Sequence, residues 1–568
     1  MSLQFITGNS GNGKTKYLFN RIVKEAKANP RGNYLVIVPE QFTMQTQRQL
    51  VDLSENKAIM NIDVLSFKRL AYRVFDELGI TNLTVLEETG KNLVLRKLAA
   101  QEADKLGVIG RNLNRIGYIS EVKSLLSELV QYNISPEELG RYIASGRLSD
   151  TLSDKLKDVL VLYEAFEKFM QDKYITAEEI LNVLSNVAEE SAILRNSVIA
   201  FDEFTGFTPI QNQLIKKLFV ISKKIYVTLT IDCREDIFKS RGMQELFDMP
   251  KRTVKSLTEM AAFYGIEVEE PIILDKNYRL AENEELSFME QQLFRKRRCS
   301  FKKVPKHIHI DCLRDPKQEL TKIARRINEL VRNENLRYRD IAIVTGDVNI
   351  YAGYVREIFD KYNIPYFIDA TQEILFHPFI EFIRSIPDIA AQHFSADAVF
   401  RFLRCGFTEL SASEIDVLEN YVLACGVRGK SAWDKKWVRL PKHKAGYDLE
   451  LLNQSREYIM ELLKPVYQVF SDKKSTVKDY VLAIYKLIVL LDIPDKLAKK
   501  EQALLDAGDQ TASKEYGQIY KIVMQLFEKY VAVLGDECMD EEEFTQILDA
   551  GLDAADVAVI PPGYEIGR

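Results

Sequence analysis

Residues 8–15 run Gly8-Asn9-Ser10-Gly11-Asn12-Gly13-Lys14-Thr15. Glycines at these places let a backbone curl until successive N–H groups point inward at phosphate oxygens, and a helix starting behind the loop adds its partial positive charge. In such a G-x-x-x-x-G-K-T loop the lysine, here Lys14, reaches the β- and γ-phosphates of a nucleoside triphosphate, and the Thr15 hydroxyl ligates Mg2+. A glycine-rich surface turn is the bland alternative, and it lacks the flanking pattern found here. Residues 3–7 form a short apolar run that predicts a strand, and a helix is expected from Lys14 to about Ala28. ATP and Mg2+ are therefore the expected ligands.

Phosphoryl transfer at such a loop needs a carboxylate for the metal, usually with another to orient the attacking water. The apolar run SVIAF at 197–201 ends on Asp202 and Glu203, which puts two carboxylates at the C-terminal end of an expected strand, where open α/β sheets bind ligands. Asp202 is expected to hold Mg2+ through water and Glu203 to act as general base. The alternative is a pair of solvated acids opening a loop. Asp232, ending the apolar run 225–231, is a second candidate.

These residues must be held by a frame. YLVIV at 34–38 is continuous and β-branched, as suits a parallel strand buried on both faces. Val64 and Leu65 end another strand, and a helical pattern, FKRLAYRVFDEL, follows it. From 84 to 189 apolar residues recur at helical spacing, which predicts a helical insertion. The α/β alternation then returns with strands at 197–201 and 225–231, the mark of a doubly wound sheet. A second α/β unit is expected at 300–375, with strands at 307–312 and 340–345 and a helix over 317–332 between them. A further helical insertion spans 376–554. The run VAVIPP at 557–562 predicts a strand within 555–568, and a buried strand as last element implies a domain that continues beyond it.

A chain of 568 residues is too long for one hydrophobic core, so two to four domains are expected. The net charge of −6 excludes a wholly basic nucleic-acid module but not a local basic groove. The six cysteines are scattered without a CxxC pair, against a zinc site or disulfide framework. The N-terminus lacks an apolar signal core, and no apolar run is long enough to span a bilayer. A cytoplasmic protein with no membrane partner is expected.

The order of motifs resembles superfamily 1 helicases. Asp202-Glu203-Phe204 is similar to the opening of their second motif, and Asn277-Tyr278-Arg279-Leu280 to their NYR motif, which implies that Arg279 touches the γ-phosphate as a catalytic residue. DIAIV at 340–344 and NIPY at 363–366 resemble their second motor domain. The early nucleotide loop, VIVPEQFTMQ at 36–45 and DEFTGFTPIQ at 202–211 resemble one branch, the AddB subunits of bacterial AddAB helicase–nucleases. The resemblance covers essentially the whole chain. It implies RecA-like parallel sheets, the first over 1–83 and 190–290, with large helical insertions and an incomplete second RecA-like domain. It also implies an AddA-type motor subunit as heterodimer partner and DNA, both duplex end and single strand, as substrate. The family's nuclease and its 4Fe-4S cluster belong to a C-terminal part that these residues do not include. The resemblance departs at TIDCRED, 230–236, where helicases carry a glutamine that senses the γ-phosphate. The second arginine that such motors bring to the nucleotide also lies outside the 568 residues. Three readings stay open: a helicase–nuclease subunit whose nucleotide site regulates, an autonomous translocase, and a helical scaffold keeping a vestigial ATP site.

DNA contacts are harder to place. RKRRCSFKKVPK at 295–306 is basic without acids; it suits either phosphates or a solvated linker. Phe42, Phe67, Tyr72, Trp433 and Trp437 offer base-stacking surfaces, although aromatics at helical spacing usually belong to a core. Trp433 and Trp437, four apart in a Lys- and Arg-rich stretch, are expected to share a helix face.

Overall fold

A run as apolar as Tyr34-Leu35-Val36-Ile37 can keep neither face in water, and all four residues are buried. They form one strand of a parallel sheet. The computed structural model describes residues 1–80, 85–86, 88–108, 118–146, 148–170, 174–295, 299–368, 372–374, 376–440, 447–553 and 556–557. Their strands are β1 (Ser2–Gly8), β2 (Tyr34–Ile37), β3 (Ile62–Leu65), β4 (Val85–Leu86), β5 (Ile175–Thr176), β6 (Val198–Phe201), β7 (Lys224–Thr230), β8 (Glu267–Val268), β9 (Ile272–Leu274), β10 (Gln372–Glu373) and β11 (Asp556–Val557).

Among the described residues the main sheet has the order β3-β2-β6-β7-β1-β8, with β9 also on β1, and its ladders are parallel. Successive side chains of a strand point to opposite faces. Leu3, Phe5, Leu35 and Ile37 accordingly meet the helices Phe67–Leu78, Ile180–Val187, Pro209–Ile221 and Asp248–Phe263 on one face. Ile6, Tyr34 and Val36 meet Lys14–Ala28 and Thr43–Leu53 on the other. The fold is α/β with a doubly wound parallel sheet, as expected, and with many helices beside it.

The chain divides into two compact units, residues 1–86 with 124–311 and residues 87–123 with 312–568. The stretch 84–189 is shared between them. Ile180 and Leu184 lie in the core of the first unit, whereas the Arg96 guanidinium, on the helix Glu88–Gln101, donates to the carbonyl of Gln546 at 2.7 Å within the second. The second unit is built on a large helical core that gathers Leu93 with residues between Ile374 and Leu552, with Trp433 fully buried in it. A smaller pair of helices, Pro316–Asn333 and Asn349–Lys361, packs through Leu320, Ile327, Ile358 and Phe359.

The helix expected over 317–332 is present, its N-terminus capped by Asp315, whose Oδ1 accepts from the Gln318 N–H at 2.8 Å. The strands expected at 307–312 and 340–345 are not. Neither segment belongs to a ladder among the described residues, and Ile310 and Val344 are each 93% exposed. Apolar alternation makes a segment competent to be a strand, but the stability comes from the paired neighbour and the covered face. Of the strand expected at 557–562, Val557 pairs antiparallel with Gln372; residues 558–562 lie outside the described residues.

Candidate nucleotide-binding site

The loop 8–15 joins β1 to the helix Lys14–Ala28, the strand–loop–helix setting that the pattern demands. Gly11 and Gly13 adopt φ of 89° and 79°, which glycine reaches without steric cost. The Lys14 ammonium donates to the carbonyls of Gly8 and Asn9 at 3.1 and 3.0 Å, so it lies inside the loop. Burial lowers its pKa from the ordinary value, against the opposing pull of Glu203 and Asp202.

β6 delivers the carboxylates to this loop. Thr15 Oγ1 lies 3.4 Å from Asp202 Oδ1 and 3.3 Å from Glu203 Oε1. A hydroxyl carries one hydrogen and can donate to only one of them. Asp202 is 1% exposed, its Oδ1 accepts from the Thr228 hydroxyl on β7, and its Oδ2 is buried with no hydrogen-bond partner. Burial pushes its carboxyl above the usual range, with the Thr228 and Thr15 hydroxyls pulling the other way. Two converging carboxylates, one of them with an orphaned oxygen, and a hydroxyl make a hard-oxygen donor set that fits Mg2+, which typically takes one or two carboxylates and completes its shell with water and phosphate. Among the described residues no group of three or more His, Cys, Asp or Glu side chains is poised to hold a metal by itself.

The segment after β9 straps the loop from outside. Asn277 Nδ2 donates to the Ser10 carbonyl at 2.9 Å, the Tyr278 N–H donates to the Gly11 carbonyl at 3.0 Å, and Asn12 Nδ2 donates to the Leu274 carbonyl at 2.5 Å. This brings Arg279 beside Gly11, where a Cβ would stand 2.9 Å from the Arg279 Cβ. Gly8 to Thr15, Asp202, Glu203 and Arg279 are thus gathered at one end of the sheet. Asp232 is close but occupied. Arg234 grips it through Nε at 2.8 Å and Nη2 at 2.5 Å, and Arg295 Nε donates to it at 2.9 Å. Burial alone would raise its pKa, yet these bonds hold the carboxyl well below the usual carboxylate range. It is a partner for arginines rather than a second metal ligand. Sequence reasoning missed this and missed Glu290, which accepts from Asn9 Nδ2 at 2.9 Å. The signal available was weak: a loop asparagine with no local cap to make.

With this geometry in hand, the profile of the family described as "ADDB, N-terminal" matches residues 5–290. The chain belongs to the AddB family. It is 38% identical over 575 residues to the B subunit of the ATP-dependent helicase/deoxyribonuclease of Lachnoclostridium phytofermentans, a match covering 100% of this chain and 50% of that protein. The counterparts of that protein in Caldanaerobacter subterraneus subsp. tengcongensis and Clostridioides difficile are 32% and 31% identical, again over 100% of this chain and 49% and 50% of theirs. This AddB chain spans about half the length of the curated relatives it matches.

The aromatic candidates for stacking divide. Trp433 and Trp437 are 0% and 6% exposed and lie edge to face 5.2 Å apart in the helical core. The helix Lys430–Trp433 ends before Trp437, whose Nε1–H donates to the Ala432 carbonyl at 3.0 Å. They are core, because burying two indoles outweighs the basic character of their neighbours. Phe67 is buried against Phe201, Phe204 and Phe207. Phe42 is half-buried and Tyr72 exposed. Within the basic run, Arg295 is tied to Asp232 and stacks over Phe247 at 4.7 Å, and Lys303 pairs with Glu284. Residues 296–298 lie outside the described residues.

Proposed function

We propose that this chain is the ATP- and DNA-binding N-terminal part of a helicase–nuclease B subunit that processes double-strand DNA breaks for homologous recombination. Its working partner is an AddA-type motor subunit, its substrate a duplex end and the single strand drawn from it, and its compartment the cytoplasm. Among the described residues no helix is long and apolar enough to cross a membrane. The observation that carries the reading is the convergence of Lys14, Thr15, Asp202, Glu203 and Arg279 on one loop.

The roles follow from charge. Loop N–H groups and Lys14 bind the triphosphate, and Thr15 and Asp202 would hold Mg2+, which when bound neutralises developing phosphate charge. Glu203 orients and deprotonates water, and Arg279 stabilises the γ-phosphoryl oxygens, a role that elsewhere contributes roughly 10³–10⁵ in rate. The stretch 230–236, TIDCRED, lacks the glutamine with which a motor senses the γ-phosphate, and Asp232 within it is held by two arginines. The nucleotide site therefore regulates or communicates rather than drives.

The test is titration of a fluorescent ATP analogue with Mg2+, followed by phosphate release with and without single-stranded DNA. Lys14→Ala is expected to weaken binding at least about tenfold, some 1.4 kcal/mol, and turnover to stay below about 1 per second with little DNA stimulation. Equal affinity of the two proteins would sink the nucleotide assignment. Fast, DNA-stimulated turnover lost in Glu203→Gln would replace regulation with autonomous translocation.

A further inference from the structure

Asn9 is 5% exposed, and both ends of its side-chain amide are engaged. Its Nδ2 donates to Glu290 Oε1 at 2.9 Å, and its Oδ1 accepts from the backbone N–H of Cys233 at 2.9 Å. An amide satisfied at both ends is fixed in orientation. The peptide carbonyl of the same residue is the acceptor for the Lys14 ammonium at 3.0 Å and for the Asn12 N–H at 3.2 Å. Whatever holds the Asn9 side chain thereby sets the first turn of the loop and the resting place of its lysine.

Glu290 comes from the helix Glu284–Gln292, far along the chain from the loop. A carboxylate beside a phosphate cradle has the wrong sign for binding an anion. Two features offset this. Arg295 Nη2 lies 3.9 Å from Glu290 Oε1 while its Nε grips Asp232, and the Arg295 side chain is only 11% exposed. The carboxylate is thus partly neutralised by a guanidinium that is itself anchored.

We propose that Glu290 is a positioning residue for the nucleotide loop, acting through the Asn9 side chain, with Arg295 as its counter-charge. The proposal rests on the nucleotide reading of residues 8–15. It removes Arg295 from the set of DNA contacts and gives it to the nucleotide site.

The experiment is a double-mutant cycle on the full 568-residue chain, reading the Kd of a fluorescent ATP analogue with Mg2+. Glu290→Ala and Asn9→Ala are each expected to weaken binding by about tenfold, the scale of a lost hydrogen bond to a charged group. The double variant should be no weaker than the weaker single, because both break one connection. Glu290→Gln keeps an acceptor for Asn9 and should restore binding to within about twofold of the parent. A role confined to general stability predicts additive losses and no rescue, and that result would overturn the proposal. So would parental affinity in Glu290→Ala, or in Asn9→Ala if the former fails to fold. A parent chain that binds no nucleotide overturns the nucleotide reading itself, and the proposal with it.

Discussion

Glu203 adopts a φ of 63°, a left-handed backbone that costs a residue with a Cβ about 1–2 kcal/mol. Strain of this kind persists where the surroundings enforce it, commonly at functional sites. Here it turns the chain just after β6, so that adjacent carboxylates both approach Thr15. Glu203→Gly is accordingly expected to raise the stability of the chain, by up to about 1 kcal/mol, while abolishing the slow ATP turnover proposed above. Urea unfolding and phosphate release measured on the same preparation check both halves. A variant that is less stable than the parent would show the backbone is not strained. The loop and its carboxylates were legible in the sequence because strand ends followed by charged residues leave few arrangements. Glu290 was not, since nothing local in a stretch such as EELSFMEQQ marks one carboxylate for a loop residue far earlier in the chain. Trp433 and Trp437 misled for a different reason: basic neighbours report what surrounds a residue in sequence, not which way its ring turns.

At the scale of elements, the strap formed after β9 is what the nucleotide loop leans on. A Cβ at Gly11 would meet Asn277 Oδ1 at 2.7 Å and the Arg279 Cβ at 2.9 Å, and the residue's φ of 89° disfavours any side chain. Gly11→Ala should push residues 277–279 off the loop. Nucleotide affinity is then expected to fall by more than about tenfold, because a cradle of backbone N–H groups depends on its curl. Unchanged affinity in the titration would mean that the strap is incidental. The strands of the main sheet were readable from runs such as YLVIV because continuous burial demands continuous apolarity. The same logic failed at 307–312 and 340–345, where the runs exist but no described neighbour pairs with them. A strand is a property of a pair, and a sequence displays only one member at a time.

Across each whole unit, burial couples charge to stability. His377 caps the helix Pro378–Ala391 in the second unit: its Nδ1 accepts from the Phe379 N–H at 3.1 Å, while its Nε2 is buried with no hydrogen-bond partner. Burial pushes its pKa down from 6.5 to about 4. The folded state therefore keeps the ring neutral over a range where the unfolded chain protonates it. Its contribution is present above pH 6.5 and is lost as pH falls toward about 4, up to roughly 3 kcal/mol in all. His377→Asn retains a capping acceptor and does not titrate, so its unfolding midpoint should change less between pH 7 and pH 4.5 than the parent's. Parallel curves would show that the ring is already protonated or solvated. The division into two units was only partly legible. Helical periodicity marks 84–189 as helical, but periodicity does not say which core a helix will join: residues 87–123 went to the second unit and 124–189 to the first.

The order of the sheet has a consequence for how the molecule is made. β1 leaves the ribosome well before its partners, which are β7, aligning Lys224 with Ser2, and β8 and β9, which follow later still. At roughly 5–20 residues per second, synthesis takes tens of seconds to produce them. Throughout that interval Leu3, Phe5 and Ile6 sit on a strand without its ladder partners, and the strap from residues 277–279 does not yet exist. Such long-range pairing makes folding slow and leaves apolar segments open to the wrong partners in the meantime. The loop, although written in residues 8–15, is among the last parts of its unit that can be completed, so under the proposed function ATP would have no finished site to bind during the early growth of the chain.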